Sequence, residues 1–202
     1  AADGRAIARD VLREGIFWTA DLLEAANELV AVIRDRRPQV LITYNEIGGY
    51  GHPDHVQAHR VAMYATQLAG VPSYRRDLGE SWTVARVFWS TMSKSRMMAG
   101  IQALRDEGDN ETFKGFDPDG PLSSLISDDA DIAVEIDGRS WAAQKIAAMR
   151  AHATQITPDG PFFAGGEVLG EDRWAREYYR FACGVPLPKS DGWADDLFVG
   201  LS

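Results

Sequence analysis

The pattern of apolar and polar positions predicts four elements in the first part of the chain. Apolar residues recur at helical spacing over residues 18–36, and Pro38 ends that helix. The next run, 39–44, is almost continuously apolar, which predicts a strand buried on both faces, as in a parallel sheet. A glycine-rich loop follows over 45–51. Pro53 then suits the first turn of a helix that we expect to end near Leu68.

Further along, predicted strands, helices and loops alternate. Polar and glycine-rich sequence predicts a long surface loop over 108–130. Aromatic residues at helical spacing near the end of the chain predict a last helix that places Trp174, Tyr178 and Tyr179 in the core. The predicted strands are 82–92 and 132–136, and the predicted helices are 94–107, 140–156 and 171–183. This order of elements predicts an α/β fold.

Composition and charge narrow the possible partners. The 202 residues carry a net charge of −9 with no basic run, so neither nucleic acid nor an anionic membrane surface is an expected partner. No apolar stretch reaches membrane-spanning length, and the polar start of the sequence leads us to expect no secretory signal. The single cysteine, Cys183, fits a reducing compartment, so we expect a cytoplasmic protein. The sequence leaves the oligomeric state open.

The four histidines are confined to two short polar segments. His52, His55 and His59 follow the glycine loop, and His152 stands alone much later. Ligands of open α/β sheets bind at the carboxyl ends of strands, and the first three histidines lie at such a place. They therefore indicate a site that binds a metal or moves a proton. The alternative is a structural role, in which they cap the start of a helix and lie on its surface.

Different roles are open to the residues of this segment. His52 lies near the helix cap, where the positive end of the helix lowers its affinity for a proton. The carboxylate of Asp54, if it bonds the ring, raises that affinity and fixes the tautomer. A balance of the two suits a proton donor. The hydroxyl of Tyr50 could donate to a developing oxyanion.

A helical zinc pair is one further possibility. His55 and His59 are four residues apart, as in helical metalloproteases, but the general-base glutamate of that pattern is replaced by Val56. His59 alone favours a packing or hydrogen-bonding role beneath the loop. His152 and Gln155, taken alone, favour a structural role near a helix C-terminus.

The segment 44–55, Tyr-Asn-Glu-Ile-Gly-Gly-Tyr-Gly-His-Pro-Asp-His, resembles a known signature. It is similar to the second motif of the zinc-dependent, LmbE-like N-deacetylases related to N-acetylglucosaminyl-phosphatidylinositol de-N-acetylase, in particular their mycothiol-pathway branch. The resemblance covers nearly the whole chain. Further similar segments are 37–44, 145–155, 177–180 and 195–198.

This resemblance implies a fold, a reaction and a role for each matching residue. The fold would be a Rossmann-like parallel sheet flanked by helices, with a smaller C-terminal α+β part. The reaction would be zinc-dependent hydrolysis of the N-acetyl amide of N-acetylglucosaminyl-inositol, a small-molecule substrate. His55 would bind Zn²⁺, His52 would be the general acid and oxyanion stabiliser, Asp54 would tune it and Tyr50 would polarise the carbonyl. The supporting or substrate-binding residues would be Gly49, Gly51, His152 and Gln155.

One departure from the family affects the expected extent of the chain. The first family signature, Ala-His-Pro-Asp-Asp-Glu, supplies a His and an Asp zinc ligand and the general base, and it does not occur here. We therefore expect the chain to be the C-terminal two thirds of such an enzyme, with its N-terminal strands and remaining zinc ligands missing. Residues 1–70 would be what remains of the catalytic domain. Residues 71–202 would complete the substrate pocket.

Two alternatives to the deacetylase stay open. A mycothiol S-conjugate amidase would hydrolyse a related amide, but that branch more often has proline where this chain has Gly51. A non-catalytic homologue could bind a sugar without metal, because the first zinc motif is absent.

Overall fold

The computed structural model describes residues 15–117, 119–120, 123–157, 163, 169–170 and 175–201. The chain divides into two compact units. The first contains the described residues of Ala1–Ser90, Phe181–Pro188 and Phe198–Ser202, and the second those of Thr91–Arg180 and Lys189–Leu197. Among the described residues, no helix combines the length and apolar character that a membrane span requires.

The first unit packs two helices against parallel strands. Asp21 caps helix α1, because its carboxylate accepts the N–H groups of Leu23 (2.9 Å) and Glu24 (3.0 Å). The elements in chain order are helix α1 (Leu22–Arg36), strand β1 (Val40–Thr43), helix α2 (Pro53–Ala69) and the first part of strand β2 (Arg86–Ser93). The end of strand β5 (Arg176–Gly184) lies beside β2.

The core of this unit lies where α1 and α2 meet the sheet. β1 runs parallel to β2, with Val40 opposite Arg86. The predicted order of helix, parallel strand, glycine loop and helix is therefore confirmed. The buried core residues are Ala26, Val30 and Ile33 of α1, Ala65 and Ala69 of α2, and Val84 and Val87.

Strand β1 is buried less than its apolar sequence predicts. Leu41 packs against the core, but Ile42, which points to the opposite face, is 47% exposed. The prediction of burial on both faces is wrong at this position. Within the described part of the chain β1 pairs with β2 alone, and α1 and α2 cover only the face that carries Leu41.

The second unit combines helices with short parallel and antiparallel pairings. Its elements are the end of β2, helix α3 (Lys94–Asp106), strand β3 (Ile126–Ser127), strand β4 (Val134–Asp137), helix α4 (Ala142–Ala151) and the first part of β5. β3 is parallel to β2, and β4 is antiparallel to β5. The predicted α/β class, with mostly parallel strands flanked by helices, is confirmed.

The last predicted helix is wrong, because Arg176–Gly184 forms strand β5. Tyr179 lies opposite Val134 of β4, and both Tyr178 and Tyr179 are buried. Aromatic residues suit a strand whose two faces are covered, and the partner strand is distant in sequence. The predicted core role of these two tyrosines is confirmed, whereas Trp174 lies outside the described residues.

A buried arginine fixes the end of α2 that is remote from the histidines. Arg34 of α1 is 4% exposed. Its guanidinium donates to the carbonyls of Leu68 and Ala69, in the last turn of α2. It also donates to four carbonyls of the following irregular segment: Val71, Tyr74, Arg75 and Gly79. One side chain thus replaces the water that these carbonyls would otherwise bind.

Replacing Arg34 with methionine is expected to lower the free energy of unfolding by about 3 kcal/mol, because six carbonyls, in buried or partly buried hydrogen bonds, lose a charged donor. Urea unfolding measures this change. The control is Arg36→Met on the same helix, whose side chain is 79% exposed. It should change stability by no more than about 0.5 kcal/mol. Equal losses in the two variants would contradict the role given to Arg34.

Candidate active site

Asn45 shapes the loop between β1 and α2. Its side chain is buried, and its Oδ1 accepts the N–H groups of Ile47 (3.2 Å) and Gly49 (2.9 Å). The Asn45 carbonyl also accepts the N–H of Gly48 at 2.9 Å. The sequence pattern alone did not predict this role of Asn45. An asparagine directly before a glycine-rich turn is the signal that could have found it.

Gly48 allows the loop to touch the start of α2. Its φ is +73°. A Cβ atom at this position would lie 2.5 Å from the Val56 nitrogen and 2.8 Å from the His55 carbonyl carbon. Both contacts are shorter than side chains tolerate, so only glycine fits here. The backbone of the loop therefore lies directly against the turn that carries His55.

His52 is the N-cap of α2, as predicted, and Pro53 occupies the first turn. The Nδ1 atom of His52 accepts the backbone N–H of Asp54 at 3.1 Å. Because that nitrogen acts as an acceptor, the proton of the neutral ring must be on Nε2. The N–H donor of His52 is therefore Nε2–H, on the side of the ring away from the hydrogen bond that caps the helix.

The carboxylate of Asp54 has a partner other than the His52 ring. Its Oδ1 accepts the backbone N–H of Trp18 at 2.9 Å. Gln57 and Arg60 hold the same preceding segment: Gln57 Nε2 donates to the Ala20 carbonyl at 3.1 Å, and the Arg60 guanidinium lies 4.9 Å from the Trp18 ring centre. The contact between Asp54 and His52 runs through the Asp54 backbone. No local sequence signal pointed to Trp18, because the contact joins distant residues.

His55 has the opposite tautomer from His52. Its Nδ1 lies 3.2 Å from the Gly48 carbonyl, which can only accept, so Nδ1 donates and Nε2 keeps its lone pair. Burial, followed by the neighbouring His52, lowers the pKa of His55. A neutral imidazole with a free Nε2, fixed by a hydrogen bond at Nδ1, has the form of a metal ligand.

Two tyrosines enclose the His55 ring. Tyr44 stacks on it face to face, with ring centres 4.1 Å apart and an angle of 6° between the planes. Tyr50 meets it edge-on at 5.1 Å and is 49% exposed. The ring centres of His52 and His55 are 5.0 Å apart. The structure thus brings together Tyr50, His52 and His55, with Gly49 and Gly51 in the adjoining loop.

His59 contacts the backbone between the end of β1 and the loop. Its Nδ1 donates to the Tyr44 carbonyl at 2.9 Å, and its ring meets Trp89 edge-on at 5.5 Å. This contact is the loop-supporting hydrogen bond that the sequence analysis favoured over a zinc pair with His55.

His152 and Gln155 belong to the second unit. Helix α4 ends at Ala151 and not at 156 as predicted, so His152 is its C-cap. The Gln155 N–H donates to the His152 carbonyl at 2.9 Å, and both side chains are exposed. Their predicted support of the site stays a prediction.

The donor set for a metal is incomplete in the described part of the chain. It contains no group of three or more His, Cys, Asp or Glu side chains placed to hold a metal ion. A catalytic zinc site normally needs three protein ligands. The described residues therefore fit the role of one ligand, His55, and not a whole zinc site.

The fold and the site together define an α/β protein with a histidine centre at the carboxyl end of a parallel strand. The model of the PIG-L family, described as GlcNAc-PI de-N-acetylase, matches residues 3–66. A relative from Nocardioides sp. is 54% identical over 98% of this chain and 66% of its own length. Relatives from Kribbella flavida and Geodermatophilus obscurus are each 51% identical, over 94% and 92% of this chain and 62% of their own lengths.

All three relatives are named 1D-myo-inositol 2-acetamido-2-deoxy-alpha-D-glucopyranoside deacetylase. The chain belongs to the GlcNAc-PI de-N-acetylase family. It spans slightly less than two thirds of the length of these relatives.

Substituting Gly48 with alanine is expected to destabilise the protein by about 3 kcal/mol, since the added Cβ both overlaps the start of α2 and disfavours a positive φ. Gly51→Ala is the matched control. Gly51 has a φ of +86° and open space around it, so only the conformational cost of about 1 kcal/mol applies. Urea unfolding of both variants gives the comparison. Equal costs would mean that the close approach at Gly48 is not a constraint.

Proposed function

We propose that the protein containing this chain hydrolyses the N-acetyl amide of N-acetylglucosaminyl-inositol, giving glucosaminyl-inositol and acetate for mycothiol biosynthesis. The names of its relatives support this substrate. The observation that carries the proposal is the pair of opposite tautomers at the start of α2. His52 offers a proton on Nε2, and His55 offers a lone pair on Nε2.

In this proposal His52 acts on the amide as a hydrogen-bond donor. Water adds to the carbonyl carbon and gives one proton to a general base outside the described residues, and the carbonyl oxygen becomes an oxyanion that accepts a hydrogen bond from His52 Nε2–H. When the carbon–nitrogen bond breaks, the base returns this proton to the leaving nitrogen, so the sugar departs as an amine and the acyl group as acetic acid, which ionises to acetate. Asp54 supports the role of His52 by holding its Nδ1 as an acceptor through the backbone N–H, which leaves the donor on Nε2.

Tyr50 is proposed to polarise the carbonyl before attack. Its half-exposed ring contacts both His52 and His55 edge-on, at 6.1 and 5.1 Å between ring centres. A hydroxyl carried on this ring could reach a substrate bound above the two histidines. Gly49 and Gly51 would let the sugar approach the loop backbone, and His152 and Gln155 would support substrate binding.

Zinc enters the proposal through His55 alone. A bound Zn²⁺ would supply a more acidic water for the attack. Since the described residues contribute one fitting ligand, the proposal requires the other ligands to lie outside them.

The conformation of Gly51 favours the deacetylase over the S-conjugate amidase. Its φ of +86° is closed to proline, whose ring holds φ near −65°. A branch with proline at this position must form the loop differently. We therefore infer that this loop is built for the unconjugated acetylamino sugar.

Replacing His55 with alanine should abolish zinc binding by the complete protein, from about one ion per chain to none. Metal analysis after dialysis measures this. His59→Ala is the matched control and should keep the metal, because the His59 ring donates to Tyr44 and packs on Trp89. Zinc retained in the His55 variant would remove this residue from the ligand set.

Replacing His52 with alanine should lower kcat for acetate release from N-acetylglucosaminyl-inositol by about 10²–10³-fold, because the oxyanion loses its hydrogen-bond donor. KM should change little. Tyr64→Phe, an exposed position of the same helix, serves as the control with wild-type kinetics. A wild-type protein that binds the sugar and releases no acetate would instead support a non-catalytic binding role.

A further inference from the structure

We infer that Tyr44 is a positioning residue, whose ring holds the plane of the His55 imidazole and so keeps Nε2 of His55 in one direction. This inference rests on the proposed function for the catalytic importance of His55. It concerns a residue that belongs to the matched signature but to which the sequence analysis gave no role.

One hydrogen bond alone does not fix an imidazole. The Gly48 carbonyl locates Nδ1 of His55, but the ring can still tilt about the line that joins these two atoms, since the last torsion of a histidine side chain is broad. A second contact must therefore set the plane. The Tyr44 ring lies parallel to the imidazole within 6°, at 4.1 Å between centres, and covers one face.

Tyr44 is itself held firmly enough to act as a support. It directly follows β1 and precedes the buried Asn45, which organises the loop. Its carbonyl accepts the Nδ1–H of His59 at 2.9 Å. His55 and His59 are one helical turn apart, so α2 contacts Tyr44 twice, once through the ring and once through the carbonyl.

The exposure of Tyr44 distinguishes the proposed positioning role from a role in packing the core. The residue remains 36% exposed, so removal of its ring costs less buried area than the loss of a core aromatic residue would. A role for its hydroxyl is the competing explanation. Phenylalanine keeps the stacked ring and lacks the hydroxyl, whereas leucine lacks the aromatic face, so the two variants distinguish these explanations.

The experiment compares Tyr44→Phe, Tyr44→Leu and the control Tyr64→Leu in the complete protein. Proton NMR of the His55 ring at one fixed pH reports the stacking, because the Tyr44 ring current shifts the imidazole protons upfield. We expect this shift in the wild type, the Phe variant and the control, and its loss in the Leu variant. We also expect kcat to fall about ten- to a hundredfold in Tyr44→Leu alone, with KM within about threefold of wild type.

Two outcomes would overturn the inference. One is a Leu variant that keeps wild-type kcat or an unchanged His55 shift. The other is a Phe variant as slow as the Leu variant, which would assign the role to the hydroxyl. If Tyr44→Leu does not fold, Tyr44→Thr replaces it, because threonine suits the end of a strand. The NMR shift decides the role of Tyr44 even if the wild type fails to deacetylate the sugar, an outcome that would reject the proposed function separately.

Discussion

The contact between the Gly48 backbone and the first turn of α2 is the constraint on which the rest of the site depends. It requires a residue without Cβ, since that atom would lie 2.5 Å from the Val56 nitrogen. It brings the Gly48 carbonyl within hydrogen-bonding distance of His55, and Asn45 holds the loop in the shape that makes this approach possible. The geometry of the histidines thus follows from how closely two backbone segments can pack.

Helix α2 transmits this geometry because both of its ends are fixed. At the C-terminal end, the Arg34 guanidinium caps the last carbonyls. At the N-terminal end, the carboxylate of Asp54 accepts the Trp18 N–H, and Gln57 holds the Ala20 carbonyl. A helix held in this way cannot shift along its axis or rotate without breaking several buried or partly buried hydrogen bonds. The histidines therefore keep their places relative to the loop.

The local sequence pattern was sufficient to predict the part of the site whose residues are close together in sequence. Pro53, the glycines and the apolar run before them predicted strand, loop and helix start, with His52 at the cap, and all are confirmed. The failures involve distant partners. The segment that forms β5 was predicted as a helix because its partner β4 lies far away in the chain. No residue near Asp54 in the sequence indicated its hydrogen bond to Trp18. Asn45 was overlooked because its role is to bond main-chain groups, which leave no side-chain pattern.

All three clustered histidines have Nδ1 bonded to a backbone group: His52 accepts from Asp54 N–H, His55 donates to the Gly48 carbonyl and His59 to the Tyr44 carbonyl. Hydrogen bonds to the main chain therefore determine which ring nitrogen of each histidine carries the proton. Exposed loop side chains such as Glu46 and Ile47 could change over evolutionary time without altering which nitrogen carries the proton. Such a site can acquire new substrate preferences through its surface while its chemistry stays the same.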